Sequence, residues 1–460
     1  MTRPHVVVVG GGLAGLAAAW TLSRSPDPPR TTVLEASVRL GGKIRSDEFA
    51  GATVDRAADA FLARVPWAVQ LCEQLGLRTE LVSPARSRAW IWAHEKPQPF
   101  PTDTVLGVPS DLNSLRGLIS PEGIARAEQD FTLPQPVGRE RPDPSIGDVV
   151  RARLGDEIAD LLVDPLVGGI NAGRIDSLSL AAGSPQLATL AAADPSLIKA
   201  AATHRSLQTN RTTTDNPVFF APAGGMQTLV DALVAQLAVA GVDLRTNEPV
   251  TALEQVGSGW KITGAEATID ADATVVAAPA FVAASLLRPT SATIATVLAS
   301  IRYSSVAMVR LAYTRTAVAH SLEGSGFIVP AKAGRTMTAC SWASSKWARL
   351  ATPDRVLFRV SAGRFGDDAA LQLTDEDLIA VVHRELSDAL GIDAPPLESD
   401  VTRWMNAFPQ YEPGHSARLA AIDNELASVP NLALAGAAYR GIGIPACIKS
   451  GIDAATAILI

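Results

Sequence analysis

Three glycines near the amino terminus, Gly10, Gly12 and Gly15, stand in G-x-G-x-x-G spacing directly after a run of four valines. Each has a separate task in holding a pyrophosphate. Gly10 lets the chain turn sharply out of a strand, Gly12 puts no side chain between backbone and phosphate, and Gly15 lets the next helix pack closely on a sheet. The opening residues of that helix, Leu13 and Ala14, offer unpaired N–H groups at the positive end of the helix dipole. Glu35 follows Gly15 by 20 residues, where a carboxylate can accept hydrogen bonds from ribose hydroxyls. A second glycine pair, Gly41 and Gly42, sits among Arg39, Lys43 and Arg45. It permits another close backbone approach, and any of the three cations can add positive charge; a solvated loop is the plain alternative. The chemistry these residues point to is dinucleotide binding.

The elements that must carry them are a buried parallel strand over 6–9, a helix over 13–22 and a second strand over 31–35. A secretory leader competes, with Arg3 before an apolar run and small residues at 17–19. Glycines inside the run, and the lack of a basic cluster before it, weigh against that reading. At 460 residues the chain exceeds what one core fills, so two domains are expected. A content of 47% hydrophobic and 19% charged residues is that of a globular protein. The net charge of -7 leaves no basic excess for nucleic acid. No apolar run reaches the ~20 residues of a spanning helix, which leaves peripheral membrane contact open. Cys72, Cys340 and Cys447 lie far apart and the six histidines are scattered. Neither a metal site nor a disulfide framework is expected, and a reducing, cytoplasmic setting is.

The glycine triplet, the run Glu35, Ala36, Ser37, Val38, Arg39, Leu40, Gly41, Gly42, Lys43, and the late Gly441, Ile442, Gly443, Ile444, Pro445 together resemble the FAD-dependent amine oxidase superfamily. The resemblance implies an α/β fold: a Rossmann-like FAD domain of the glutathione-reductase and amine-oxidase type, with an inserted α+β substrate-binding domain. Residues 1–84, 217–290 and 400–460 are expected to form the first, and 85–216 and 291–399 the second. It further implies that Val250 meets the adenine through its backbone and that Trp404 stands near the flavin. Gly436, Gly443, Ile444 and Pro445 are expected to bring backbone N–H groups to the pyrimidine end of the flavin, where negative charge gathers on reduction. Residues 405–416 contain no cysteine for a covalent flavin, so FAD is expected to bind non-covalently.

The version of the late motif at 441–451, G-I-G-I-P-x-C-I-x-S-G, is similar to that of the porphyrinogen oxidase branch, as is the stretch Gly169, Ile170, Asn171, Ala172, Gly173. That branch lines its substrate cavity with such a stretch, so Gly169, Ile170 and Asn171 are expected there. Arg88 matches a basic residue facing a substrate propionate, with Arg86 as a nearby competitor. The implied activity is oxygen-dependent oxidation of coproporphyrinogen III in haem biosynthesis, of the Gram-positive bacterial type, with protoporphyrinogen IX as the alternative substrate. Three two-electron steps pass hydride to flavin N5, and O2 then yields H2O2. The flavin carries the hard chemistry, so no acid–base pair is needed. Partners implied are the porphyrinogen, O2 and a transient handover to ferrochelatase. Two rivals remain: an amine or polyene oxidase, poorly served by four tyrosines where an aromatic cage is wanted, and a flavoprotein without a substrate.

Elsewhere, periodicity predicts helices over 143–162, from 227, and over 374–390 with Thr374 as N-cap. Strands are predicted over 242–245, 273–279, 306–313, 327–330 and 357–361, and a meander over 252–269. A proline-rich loop covers 133–144. Residues 53–61 are either tight packing beside a flat ring or a simple turn. Trp342 and Trp347 are read as packing.

Overall fold

The computed structural model describes residues 3–134, 141–209 and 217–459. Residues 135–140 of the proline-rich loop, and 210–216 at the end of the first expected substrate segment, lie outside the described residues.

The valine run forms a fully buried strand, His5–Val9, at the centre of a five-stranded parallel sheet. The order is Asp243–Arg245, Arg30–Leu34, His5–Val9, Ala273–Val276, Leu432–Leu434. One neighbour of the central strand follows it directly, and the other returns from far along the chain. The crevice beyond its carboxyl end is therefore a topological switch point, where open α/β sheets take ligands. Helix Leu13–Ser23 packs on the closing helix Ile444–Leu459 so tightly that a Cβ on Gly451 would lie 2.1 Å from the Ala14 carbonyl oxygen. The expected meander is present as Ala252–Val256, Gly259–Thr263 and Thr268–Ala271.

A seven-stranded sheet runs in the order Glu398–Pro409, Tyr303–Thr314, Arg355–Ala362, Met337–Trp342, Gly326–Ile328, Ala89–Ala93, Lys96–Pro99. Side chains alternate across it. Val309, Leu311, Phe327, Trp342 and Phe358 bury one face against helix Asp375–Leu390, whose Thr374 cap accepts from the Asp377 N–H at 3.1 Å. The other face carries Met308, Arg359 and Ser361 and forms a cavity wall. Two expected boundaries move. Helix Ala292–Ala299 packs with Val7, Val9 and Val276 of the parallel sheet, so the crossing comes near Tyr303 rather than at 291. The boundary at 400 falls inside Glu398–Pro409, which pairs along Tyr303–Thr314. Partner strands decide where a segment belongs, and these are not visible in local sequence.

A helical layer shares a core with Ile91 and Ala93 of the seven-stranded sheet. The helix expected over 143–162 is interrupted there. Ile146–Leu154 stops at Gly155, with φ +86, and the chain continues through Asp156–Ile158 into a π-helical stretch, Ala159–Gly168, that contains Pro165. Proline lacks the N–H for an i→i−4 bond, and the wider turn accommodates it. Leu154, Ile158 and Leu162 still share one core.

Candidate functional site

A cavity of about 1500 Å³ runs from the carboxyl end of His5–Val9 to the inner face of the seven-stranded sheet. Its nucleotide end is built by the glycine loop. Gly10 has φ +109, and a Cβ there would lie 2.8 Å from the Ala277 carbonyl oxygen. A Cβ on Gly15 would lie 1.9 Å from the Gly10 carbonyl oxygen, so Gly15 serves helix packing and does not itself line the cavity. At Gly12 a Cβ would meet nothing within 4 Å. Gly12 caps the helix without a side-chain bond, and the first-turn residues Leu13 and Ala14 open on the same space. Room that no protein atom fills, beside free N–H groups, is a cradle for an anion.

Glu35 lines this end with Ala36, and Val250 does so beside Pro249. The Glu35 carboxylate accepts from the Gly11 N–H at 2.7 Å and the Ser37 N–H at 2.8 Å, which fixes it against the glycine loop. Arg39 is not brought to the cavity. Its guanidinium donates to the carbonyls of Leu40, Gly42 and Ile44, so its charge braces the loop that presents Gly42 and Lys43. Arg45 pairs with Asp47 at 3.3 Å. Lys43 does reach the cavity; its amine donates to the Ala407 carbonyl, and burial pulls its pKa down.

Gly436, Gly443, Ile444 and Trp404 line the middle of the cavity. The Gly436 N–H is already given to the Ser450 hydroxyl at 3.0 Å, and the Trp404 indole donates to the Arg56 carbonyl at 3.0 Å. Pro445 is a further correction: it lies in the first turn of Ile444–Leu459 and is buried away from the cavity. There its missing N–H costs nothing.

Gly169, Ile170 and Asn171 line the far end, as expected. The Asn171 carbonyl accepts from Gln410 at 3.0 Å, and its side chain donates to the Val167 carbonyl at 2.9 Å. Arg88 is not there. Alternation along the strand places it with Trp90 and Trp92, and Trp92 is buried in the core on the sheet's other face. The exposed Arg88 guanidinium lies 5.8 Å from the Trp90 ring centroid. Arg88→Ala is accordingly expected to leave KM within about twofold, below the change that a lost charged hydrogen bond brings. Steady-state kinetics checks it.

Several cavity residues had no strong signal in the sequence. Residues 57–60 line the wall, so the 53–61 stretch contributes to the cavity and is more than a turn. Asp59 accepts from Lys346 at 2.9 Å, Trp347 at 3.0 Å and Arg359 at 2.9 Å. Trp347 therefore packs, as expected, and also donates. An arginine amid the apolar residues 356–360 was the one available hint of Arg359. Arg364, Tyr411 and His415 also line the cavity. His415 stacks on Tyr411 at 4.1 Å between ring centroids and contacts the Tyr439 carbonyl through Nε2 at 2.9 Å.

Residues 13–459 match the family of flavin containing amine oxidoreductases. The chain belongs to this family. The match runs from the first helix to the closing helix and takes in the seven-stranded sheet and most of the cavity wall; strand His5–Val9 and the lining residues Gly10 and Gly12 precede it. A coproporphyrinogen III oxidase of Bacillus subtilis (strain 168) is 34% identical over 459 residues, 98% of this chain and 96% of that one. A protoporphyrinogen oxidase of Bos taurus is 30% identical, covering 99% of this chain and 98% of that one. A solved structure assigned as a protoporphyrinogen oxidase from Exiguobacterium sp. 255-15 superposes with a TM-score of 0.87 at 29% identity, covering 100% of this chain and 99% of that chain.

FAD is the family's cofactor, and the residues fit it. The open space at Gly12, the helix start and Glu35 suit its pyrophosphate and ribose. The cavity volume of about 1500 Å³ exceeds the ~300–1,000 Å³ of a pocket for one small ligand. Among the described residues no helix is long and apolar enough to cross a membrane.

Buried titratable groups, two of them in the cavity wall, also set a pH response. Burial lowers the pKa of His5, His320 and His415. Burial alone would raise Asp59, but Lys346 and Arg359 outweigh it and hold the group below the usual carboxylate range. In every case the unfolded chain takes up the proton first, so stability falls with pH. The expected curve declines below about pH 6.5 as unfolded histidines protonate, then steepens below about pH 4 as Asp59 protonates in the unfolded chain while the folded one keeps it charged. Urea midpoints across this range test it, and a midpoint rising on acidification would contradict it.

Proposed function

We propose that the chain oxidises coproporphyrinogen III to coproporphyrin III in haem formation, in the cytoplasm, with non-covalent FAD and with O2 as terminal acceptor. The balance is one porphyrinogen and three O2 to one porphyrin and three H2O2. Bound FAD supplies the two-electron acceptor. The protein's part is to hold the macrocycle against it and keep water out. Product would pass on to a ferrochelatase.

The observation that carries the reading is the charge at the substrate end. Glu35 and Asp59 are the acids among the described lining residues. Glu35 belongs to the nucleotide end, and Asp59 is neutralised by Lys346 and Arg359. Arg364 remains as a buried cation. An ammonium substrate would meet positive charge without a free counter-ion, whereas a greasy macrocycle rimmed with carboxylates finds apolar walls and a cation. The chemistry also needs no acid–base pair; burial lowers the pKa of His415, which stacks on Tyr411.

Protoporphyrinogen IX is the second reading, since one full-length relative carries that name. The test is aerobic fluorescence with both porphyrinogens offered in parallel. Faster coproporphyrin formation is expected. Faster protoporphyrin formation would move the enzyme to the later substrate, and neither rate above background would turn attention to amines.

A further inference from the structure

Four arginines among the described residues are less than a tenth exposed: Arg153, Arg310, Arg359 and Arg364. The first three use their guanidinium groups fully. Arg153 pairs with Asp130, Arg310 with Asp47 and Asp400, and Arg359 with Asp59 and the carbonyls of Asp55 and Ala57. Arg364, 8% exposed, differs. Among the described residues its guanidinium has no hydrogen-bond or ion-pair partner, yet it lines the cavity. A buried cation without a partner carries a desolvation cost that nothing in the protein offsets, so it persists where something else answers it.

The backbone holds Arg364 in that position. It sits between Gly363, at φ +88, and Gly366, at φ +78, in a tight turn after Arg355–Ala362. Its N–H and carbonyl exchange bonds with Asp367 at 3.3 and 2.9 Å, and the next N–H, of Phe365, donates to the Ala172 carbonyl at 2.8 Å. The Arg302 guanidinium covers the Phe365 ring at 4.8 Å. The turn is thus locked to the Gly169-to-Gly173 loop, and Arg364 is carried beside Gly169, Ile170 and Asn171 in the wall. The charged groups facing it are Asp164, Arg174 and Asp367. Asp164 is buried, gives an oxygen to the Ile175 N–H at 2.9 Å, and burial raises its pKa. Arg174 opposes it with a second positive charge. Asp367 is exposed on the turn itself. None makes an ion pair with Arg364.

We infer that Arg364 takes a carboxylate of the substrate and so anchors one edge of the macrocycle at the far end of the cavity. The planar guanidinium can meet a carboxylate with two parallel hydrogen bonds, which fixes orientation as well as position. The inference rests on the proposed porphyrinogen reading for the nature of the ligand, but its test does not need turnover.

Binding of coproporphyrin III and of its tetramethyl ester would be measured on the FAD-loaded protein by fluorescence titration. Wild type would be compared with Arg364→Gln, Arg364→Lys and the outward-facing Arg88→Gln. Arg364→Gln is expected to weaken binding of the free acid at least about tenfold, the loss of a charged hydrogen bond. The ester is expected to bind both proteins alike. Arg364→Lys should fall between, because charge remains without the fork, and it serves as the test if the glutamine variant fails to retain flavin. Equal weakening of acid and ester, or no weakening of the acid in either Arg364 variant, overturns the inference, as does an equal loss in Arg88→Gln. Selective acid binding through Arg364 in a wild-type protein that oxidises no porphyrinogen would uphold the carboxylate site and sink the proposed reaction instead.

Discussion

Replacing Gly12 by alanine is expected to strip the protein of FAD while leaving its apo fold almost untouched, whereas Gly15→Ala should damage both. The two positions are three residues apart in one motif, yet the space around them differs completely. A Cβ at Gly12 meets no protein atom within 4 Å, and its φ of −71° is open to alanine. The cost to the apo protein is that of a poorer N-cap, less than about 1 kcal/mol. The methyl group instead occupies the space left for the phosphates. Losing two charged hydrogen bonds, each ~1.5–3 kcal/mol, weakens FAD by roughly 100-fold or more. At Gly15 the Cβ would lie 1.9 Å from the Gly10 carbonyl and 3.2 Å from the Ala277 side chain. Helix and strand must part, an overpacking cost of about 1–3 kcal/mol, and the helix start moves with them. Urea unfolding of the apo proteins separates the two costs, and flavin absorbance of the proteins as purified reports the shared loss. Apo forms are needed because bound FAD itself adds stability. A Gly12→Ala protein purified with full flavin would place the phosphates elsewhere.

Local chemistry made the nucleotide end legible and left the substrate end obscure. The glycine loop, helix and acid are contiguous in sequence, and each has a backbone reason for its residue type. Glu35 was therefore readable, even if its first role is to accept from Gly11 and Ser37. Arg39 and Pro445 stand in motifs that border the cavity but do not line it; they act on the protein itself, because a motif marks a neighbourhood and not the direction of a side chain. Arg88 failed for a different reason. A strand turns alternate residues to opposite faces, and only the burial of Trp92 in the other core reveals which face Arg88 shares. Arg364 carried no signal at all, since its isolation depends on where residues 164–174 fold in space. The helix expected over 143–162 had the right apolar face and the wrong continuity, because Gly155 and Pro165 outweigh periodicity.

Arg310→Ala is expected to destabilise the protein by about 3–5 kcal/mol, the usual cost of breaking a buried charge pair from one side. Arg310 is 1% exposed. It donates to Asp400 at 2.9 Å, to Asp47 at 2.8 Å and to the Val54 carbonyl at 3.0 Å, and lies 4.5 Å from the Phe49 ring centroid. Arg56 completes the cluster by pairing with both acids. These bonds tie the hairpin Ser46–Phe49 and Ala52–Asp55 to the seven-stranded sheet, and the cavity residues 57–60 follow the hairpin directly. The cost arises from two acids left to share Arg56 more than from any net worth of the pairing. Replacing Arg310 and Asp400 together by leucine should therefore recover a large part of it. A pH series distinguishes this account from simple loss of packing. Burial alone would raise Asp47, but its bonds to Arg56 and Arg310 keep its pKa lowered. That lowered pKa contributes stability above about pH 4, lost as pH falls through the folded value. Without Arg310 there is less to lose, so the gap between wild type and Arg310→Ala should narrow on acidification. A gap that stays constant from neutral to acidic pH would assign the cost to the cavity left by the side chain and not to its charge.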